Sequence, residues 1–382
     1  MTRLKSLLLR LALTLFTVLA LYSAADDWTL RAWNNDESLV VRILEMGPES
    51  PVETEDGEAA AFPMLRREIR AQLLTGEQKG TVVEIPVVRL AGSGVDLMTG
   101  WRYLLVADTF QDGTTQYSIA DAYRVPSLVA FVSGVCLMLV ALSGWAGFLA
   151  ILGLALSISV LVGVMIPLIS EGWPPVPVAL ASVLTLSALT ILCVVRRPRT
   201  RIAALLGSLG GVCGGFLLGT LMVWGWQLTG LAGEGAALLA STLPGIDMRG
   251  ILLSAVLVGA IGAVLDVGVS VTASMAEFVD YDPNIPLGRL LLAGLNVGSE
   301  VLGSMINTLI LAYLGSSLPM AVLISSAGVN ILGLLNDPYI GQEIVQSLAG
   351  TTGLLLTVPV TAFVFVAQES WFRRGRERSA AA

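Results

Sequence analysis

Two regimes of patterning divide this chain. From about residue 127 to residue 368 the apolar positions run in stretches of roughly twenty residues, the length that crosses a ~30 Å hydrocarbon core as a helix. They fall at 127–146, 148–169, 176–195, 202–226, 251–276, 289–314, 318–335 and 350–368. Residues 26–126 behave differently. Short β-branched runs such as "SLVVRILEM", "TVVEIPVVRL" and "YLLVADTF" are broken by Gly, Asp and Pro, which predicts strands and turns in a small all-β domain, barrel- or sandwich-like.

The N-terminal segment, residues 1–25, opens with Arg3, Lys5 and Arg10 and continues as an apolar run to Leu21. Small residues at Ser23, Ala24 and Ala25 suit signal cleavage, while Leu7 to Leu9 lengthen the run and favour a retained anchor. Either way the β-rich domain is expected on the exported face. The arginine-rich stretches "RRPRTR" at 196–201 and "RRGRER" at 373–378 belong on the cytoplasmic face by the positive-inside rule. Between them the chain must cross an even number of times, yet five apolar segments intervene or precede the tail. The segment 318–335 opens with Pro319 and is interrupted by Ser325, Ser326, Gly328 and Asn330, so it is the one expected not to span. The region 227–250, broken by Pro244, Gly245 and Gly250, is the other candidate for irregular backbone.

The expected fold class is therefore an α-helical polytopic membrane protein of about eight spans plus one re-entrant element, with a small all-β extracytoplasmic domain near the N-terminus. The expected division is 1–25 anchor or signal, 26–126 β-rich domain, 127–368 helical membrane domain and 369–382 basic cytoplasmic tail.

Composition agrees with this class: 55% of residues are hydrophobic and 13% charged, which places the chain among membrane proteins. Residues 26–125 hold 17 acidic against 9 basic residues, so the exported domain carries the acidity and would repel nucleic acid and anionic headgroups. The absence of histidine excludes Ser-His-Asp and Cys-His catalysis and any His-ligated metal. Cys136, Cys193 and Cys213 lie in apolar segments without Cys-x-x-Cys spacing and read as buried packing residues.

Candidate chemistry lies in two apolar segments. In "GAIGAVLDVGVSVTASMAEF" the residues Asp266, Ser270, Ser274 and Glu277 fall at i, i+4, i+8 and i+11, on roughly one helix face. In the segment from 289, Asn296, Glu300, Ser304 and Asn307 repeat the same spacing. A carboxylate at membrane depth costs roughly 2.5–3.5 kcal/mol on insertion scales, so these groups should face protein or water. Acids so placed suit a proton relay or a site for a hard cation. The plainer alternative is that they only hold helices together through hydrogen bonds. Glu277 stands near the segment end, where solvation explains it as well.

Gly207, Gly211, Gly215 and Gly219 recur every fourth residue, and Gly294 and Gly298 repeat that spacing beside Asn296. Such spacing lets helix backbones approach closely. Enzyme patterns are missing: "AVLDVG" lacks the Gly-x-Gly-Asp of an intramembrane aspartyl protease, and there is no Gly-x-x-x-x-Gly-Lys-[Ser/Thr] loop for nucleotide phosphates. No enzymatic activity and no cofactor are expected.

The stretches "GAIGAVLDVGVSVTASMAE", "GLNVGSEVLGSMINTLILAYLGSSLP" and "EIVQSLAGTTGLLLTVPVTA", with "LLTGEQKGTVVEIPVV", "IPLISEGWPPVPVAL" and "RTRIAALLG" upstream, make the chain resemble the YibE/F family of bacterial multispanning membrane proteins. The likeness runs from about residue 70 to 368. It implies an integral protein of the bacterial plasma (inner) membrane with an extracytoplasmic portion. It also implies an aspartate where this chain has Glu300, which keeps the acid with one more methylene.

The leading expectation is a permease or channel-like transporter for a proton, cation or small solute. Its path would run between the helices at 251–277 and 289–314, with Asp266 and Glu300 bearing charge and Ser270, Asn296 and Asn307 as neutral ligands. The alternative is a non-transporting scaffold or signalling subunit whose exported domain binds a partner protein. The expected surroundings are the lipid bilayer, without nucleic acid.

Overall fold

The computed structural model describes residues 17, 22, 25, 29–30, 38–51, 64–76, 78–90, 96–109, 115–195, 197–232, 235–328 and 330–381. The expected anchor or signal at 1–25 lies almost wholly outside them. The chain divides into two compact units, Met1–Phe148 and Leu149–Ala382.

In the first unit five strands form one antiparallel sheet: β1 (Ser38–Pro51), β2 (Met64–Leu73), β3 (Val82–Leu90), β4 (Arg102–Thr109) and β5 (Thr115–Ala122), in the order β3-β2-β1-β4-β5. β1 is long and irregular in register after Ile43 and Met46; its first residues, Ser38 to Arg42, pair with β4, while Val41 to Pro51 pair with β2. Bulges of this kind bend a strand. The edge strands β3 and β5 also come close to each other, so the sheet curls toward the five-stranded Greek-key barrel of OB-type folds.

Alternation explains the core. Ile69, Ala71 and Leu73 of β2 point inward, while Glu68 and Arg70 on either side of Ile69 point out. The inward residues meet Val41, Ile43, Ile85, Tyr103 and Leu105 in one cluster. Tyr103 is buried with its hydroxyl satisfied, donating to the Asp96 carbonyl at 3.0 Å and accepting from the Met98 N–H at 2.8 Å. It thereby ties down the connection into β4. After β5 the Arg124 guanidinium grips Asp121 with two bonds of 2.7 Å. With the Ala122 N–H it holds the Asp121 carboxyl below its ordinary pKa. Helix α1 (Val125–Ser143) starts at once, with Pro126 in its first turn.

The second unit is helical. Helix α2 (Trp145–Val160) continues through a π-helical turn at Leu161–Met165 into Ile166–Ser170. The wider turn lies directly before Pro167, whose ring nitrogen cannot donate to the preceding turn. Then come α3 (Pro175–Val194), α4 (Pro198–Gly225), the short α5 (Ala236–Thr242), α6 (Met248–Tyr281), α7 (Leu287–Ser316), α8 (Leu318–Ser326), α9 (Ile331–Leu335) and α10 (Pro338–Ala381).

Among the described residues seven helices are long and apolar enough to cross a membrane: α1, α2 with its extension, α3, α4, α6, α7 and α10. They match seven of the eight expected spans one for one, and the eighth belongs to residues 1–25. The segment 318–335 forms no crossing helix. Its two pieces, nine and five residues long, are separated by a turn at Gly328, whose φ is 73°. At 1.5 Å per residue neither reaches half of a hydrocarbon core. The region 227–250 is likewise broken, holding only α5.

Two expectations need adjustment. The tail marked at 369 is not a separate segment, because α10 runs unbroken to Ala381. Glu369 and Arg373, one turn apart and joined at 3.0 Å, support its continuation. Nor are all three cysteines buried: Cys136 and Cys193 are half-buried, but Cys213 is exposed. It stands two positions from both Gly211 and Gly215, whose side of α4 is packed, and so points the other way.

Helices α4, α6 and α10 form the centre of the unit, with α3 and α7 packed around them. Val264, Val267, Val271 and Met275 of α6 meet Ala203 and Ala204 of α4 and Leu354, Val358 and Ala362 of α10. Of the most apolar stretch of α6, 61% is buried, against 11% for α7, which makes α6 central and α7 peripheral.

Candidate functional site

The close approach of α4 and α10 sets the frame. A side-chain carbon added at Gly211 would stand 2.5 Å from the Gly353 carbonyl oxygen, and one at Gly215 would stand 2.5 Å from that of Ala349. At Gly207 it would overlap Thr361, and at Gly219 it would stand 3.0 Å from Val256. The four-residue glycine repeat of α4 therefore lies against α10 and α6. Gly294 and Gly298 do the same for α7, against Met275 of α6 and Val358 of α10.

Upon this frame α6 and α7 carry their carboxylates at mid-length. Asp266 lies eighteen residues after Met248 and fifteen before Tyr281. Glu300 lies thirteen after Leu287 and sixteen before Ser316. Each is about 2 Å from the middle of its helix at 1.5 Å per residue. The contacts of Gly294 with Met275 and of Gly259 with Tyr313 show the two helices antiparallel. Carried along that register, Asp266 stands level with Ser304, Ser270 with Glu300, and Ser274 with Asn296.

Level is not orientation. Asp266 is two positions from buried Val264 and buried Gly268, and Glu300 is two positions from buried Gly298 and buried Leu302. On a helix of 3.6 residues per turn both carboxylates point away from the packed core. Asp266, Asn296, Glu300, Ser304 and Asn307 are exposed, and Ser270 and Ser274 are half-buried. Among the described residues neither carboxylate and neither amide of this set makes a hydrogen bond or ion pair. This corrects the expectation of one path between the two helices: within a single chain the α7 stripe does not face α6. The sequence could show that each helix has a polar face but not which way that face turns.

Glu277 has a different setting. It is 71% exposed and lies 3.1 Å from Arg197, which also holds Asp280 at 2.6 Å. These residues close one end of the bundle, beside a cavity of about 460 Å³ lined by Arg197, Thr200, Asp280, Phe365, Glu369 and Phe372. Nearby, Arg373 pairs with the buried Glu369 and donates to the Ile285 carbonyl at 2.8 Å. Arg197 and Arg373, one from each basic stretch, thus lie at the same end of the bundle. Sequence reasoning used these arginines only for topology and did not foresee Arg197, Asp280, Glu369 and Arg373 as a charged cluster. Their signal was the basic runs themselves.

A second cavity, about 250 Å³, lies between α7, α8 and α10, lined chiefly by apolar side chains with Tyr313 and Glu343. Neither cavity includes Asp266 or Glu300. Among the described residues no group of three or more acidic or cysteine side chains is gathered as a metal site. What the arrangement offers is oxygen ligands and exchangeable protons at mid-helix, on outward faces.

No curated protein and no solved structure matches this chain. Residues 131–369, well over half of the chain and including α3 through most of α10, match the family model described as YibE/F-like protein. The chain, with its apolar helices and its mid-helix acids, belongs to the YibE/F-like family.

Proposed function

We propose that the protein is a permease or channel-like transporter of the bacterial inner membrane, moving a proton, a cation or a small solute along the polar faces of α6 and α7. The observation that carries this reading is the pair of carboxylates, Asp266 and Glu300, held at mid-helix on exposed faces without a partner among the described residues. A membrane helix that needed acids only for packing would turn them toward donors in the bundle. Here the cost of an intramembrane carboxylate, roughly 2.5–3.5 kcal/mol, is met without any visible structural return. Ser270, Asn296, Ser304 and Asn307 extend the polar surface along the same helices as neutral oxygen and amide groups.

The topology that accompanies the proposal puts the arginine-rich end of the bundle, with Arg197 and Arg373, in the cytoplasm. Helices α4, α6, α7 and α10 are then four crossings between the two basic stretches, and α8 and α9 dip into the far side as a re-entrant element. The β-barrel lies outside the cell, where it captures solute or docks a partner.

Flux in sealed proteoliposomes, screened across H⁺, Na⁺, K⁺, Mg²⁺ and Mn²⁺ gradients, tests the proposal. Asp266→Asn and Glu300→Gln should each lower the flux at least tenfold while the protein stays folded. Undiminished flux in both variants would sink it. The second reading, a membrane platform whose barrel binds another protein, draws on the OB-type topology of that domain. It predicts altered abundance or partner capture in these variants and no flux in either form.

A further inference from the structure

Helix α7 presents a problem that the single chain does not solve. Its inward face, Leu290, Gly294, Gly298 and Leu302, is buried, while Asn296, Glu300, Gly303, Ser304, Asn307 and Leu314 are exposed. A side-chain carbon added at Gly303 would meet nothing within 4 Å. Lipid cannot satisfy two amides and a carboxylate at mid-membrane. The other helices of the chain are poor candidates to cover them. In residues 1–25 the charged side chains, Arg3, Lys5 and Arg10, stand near the start and the middle of the apolar run offers only hydroxyls such as Thr14 and Thr17, while α1 has no acid or amide side chain. The glutamines of α10 near its start, Gln342 and Gln346, are buried or half-buried in the bundle.

The spacing of the exposed face specifies what fits it. Ala293, Asn296, Glu300, Gly303, Asn307, Ile310 and Leu314 alternate at three and four residues, the repeat of a two-stranded seam. Two copies inserted in the same sense bring this seam against itself in parallel and in register. An asparagine in such a seam both donates to and accepts from its own symmetry mate, so Asn296 and Asn307 are self-complementary. Gly303, flanked by Ser299 and Ser304, gives the small surface that close helix approach requires.

We propose that the outward face of α7 is the seat of a second copy of this chain, giving a two-fold dimer with α7 against α7. Asn296, Glu300 and Asn307 of both copies then line the two-fold axis at mid-membrane. A polar surface that is incomplete in one chain becomes enclosed in two. The proposal stands on the polar seam alone. Its test reads association, so it fails or survives independently of whether flux is found.

The experiment starts from full-length protein in which Cys136, Cys193 and Cys213 are replaced by alanine. Single cysteines are placed in the seam by Gly303→Cys and by Leu314→Cys, which leaves every polar seam residue intact. A control is placed on the outer face of α4 by Leu217→Cys, at a residue 62% exposed. After mild oxidation in native membranes, both seam variants should form a band of twice the chain mass and the control should not. In lipid nanodiscs the parent protein should have the mass of two chains, and Gly303→Leu, which fills the seam, should halve it. Seam variants that stay uncross-linked, or a control that cross-links as readily, would overturn the proposal, as would a parent of single-chain mass. Those results assign the cover of α7 to lipid, to the chain's own first segment or to a different protein.

Discussion

Adding a single methyl group at Gly211 should separate α4 from α10. The new carbon would stand 2.5 Å from the Gly353 carbonyl oxygen, about 0.9 Å short of an ordinary van der Waals contact, and the obstacle is backbone that no rotamer change can remove. The helices must part by roughly that distance over at least one turn. A gap of 0.5–1 Å forfeits about a quarter to a half of each dispersion contact it opens. Overpacking of this kind costs about 1–3 kcal/mol, and the better helix propensity of alanine returns about 0.8–1 kcal/mol. Because the obstacle is backbone, the overpacking cost lies at the upper end of its range, and the net loss is about 2 kcal/mol, or a fall in Tm of roughly 4–8 °C on the scaling for domains of 150–250 residues. Gly262 provides the comparison, since a carbon added there meets nothing within 4 Å. Gly262→Ala should leave Tm unchanged or raise it slightly. Tryptophan fluorescence of the purified protein during a thermal ramp gives both values. A Gly211→Ala variant as stable as the parent, or equal losses at both sites, would refute the claim that backbone contact at these glycines holds the bundle together.

Two further outcomes follow from the charged groups. Arg197→Ala breaks ion pairs to Glu277 and Asp280 whose side chains are half exposed or more, so the expected loss in the same thermal ramp is about 0–1 kcal/mol and should shrink further in molar salt. Because the Asp121 carboxyl titrates lower when folded than when unfolded, its contribution is present above the unfolded value of about 3.9 and is lost as pH falls through the folded one. The difference in barrel stability between the parent and Asp121→Asn, followed by protease resistance, should be present at pH 6 and vanish in acid.

Much of the fold was legible because membrane insertion imposes length and composition on each helix separately. The long apolar runs became α1 through α4, α6, α7 and α10, and the interruption at Pro319, Ser325, Ser326 and Gly328 became the break between α8 and α9. In the β-rich domain "SLVVRILEM", "TVVEIPVVRL" and "YLLVADTF" became β1, β3 and β4, since β-branched runs carry a local signal. β2, "MLRREIRAQL", escaped notice because its outward face holds Arg66, Glu68 and Arg70, and its inward residues become a core only when β1 and β3 pair on either side.

The candidate site divides along the same line. The sequence by itself determined that α6 and α7 each bear a polar stripe with an acid near the middle, and that glycines recur at four-residue spacing, because helical periodicity fixes which residues share a face. Only the tertiary structure decided what each face meets. It turned the glycines of α4 onto α10, gathered Arg197, Asp280, Glu369 and Arg373 from three helices at one end, and turned Asp266 and Glu300 outward. Helix rotation is set by packing with neighbours far away in the chain, and a period of 3.6 residues carries no information about it.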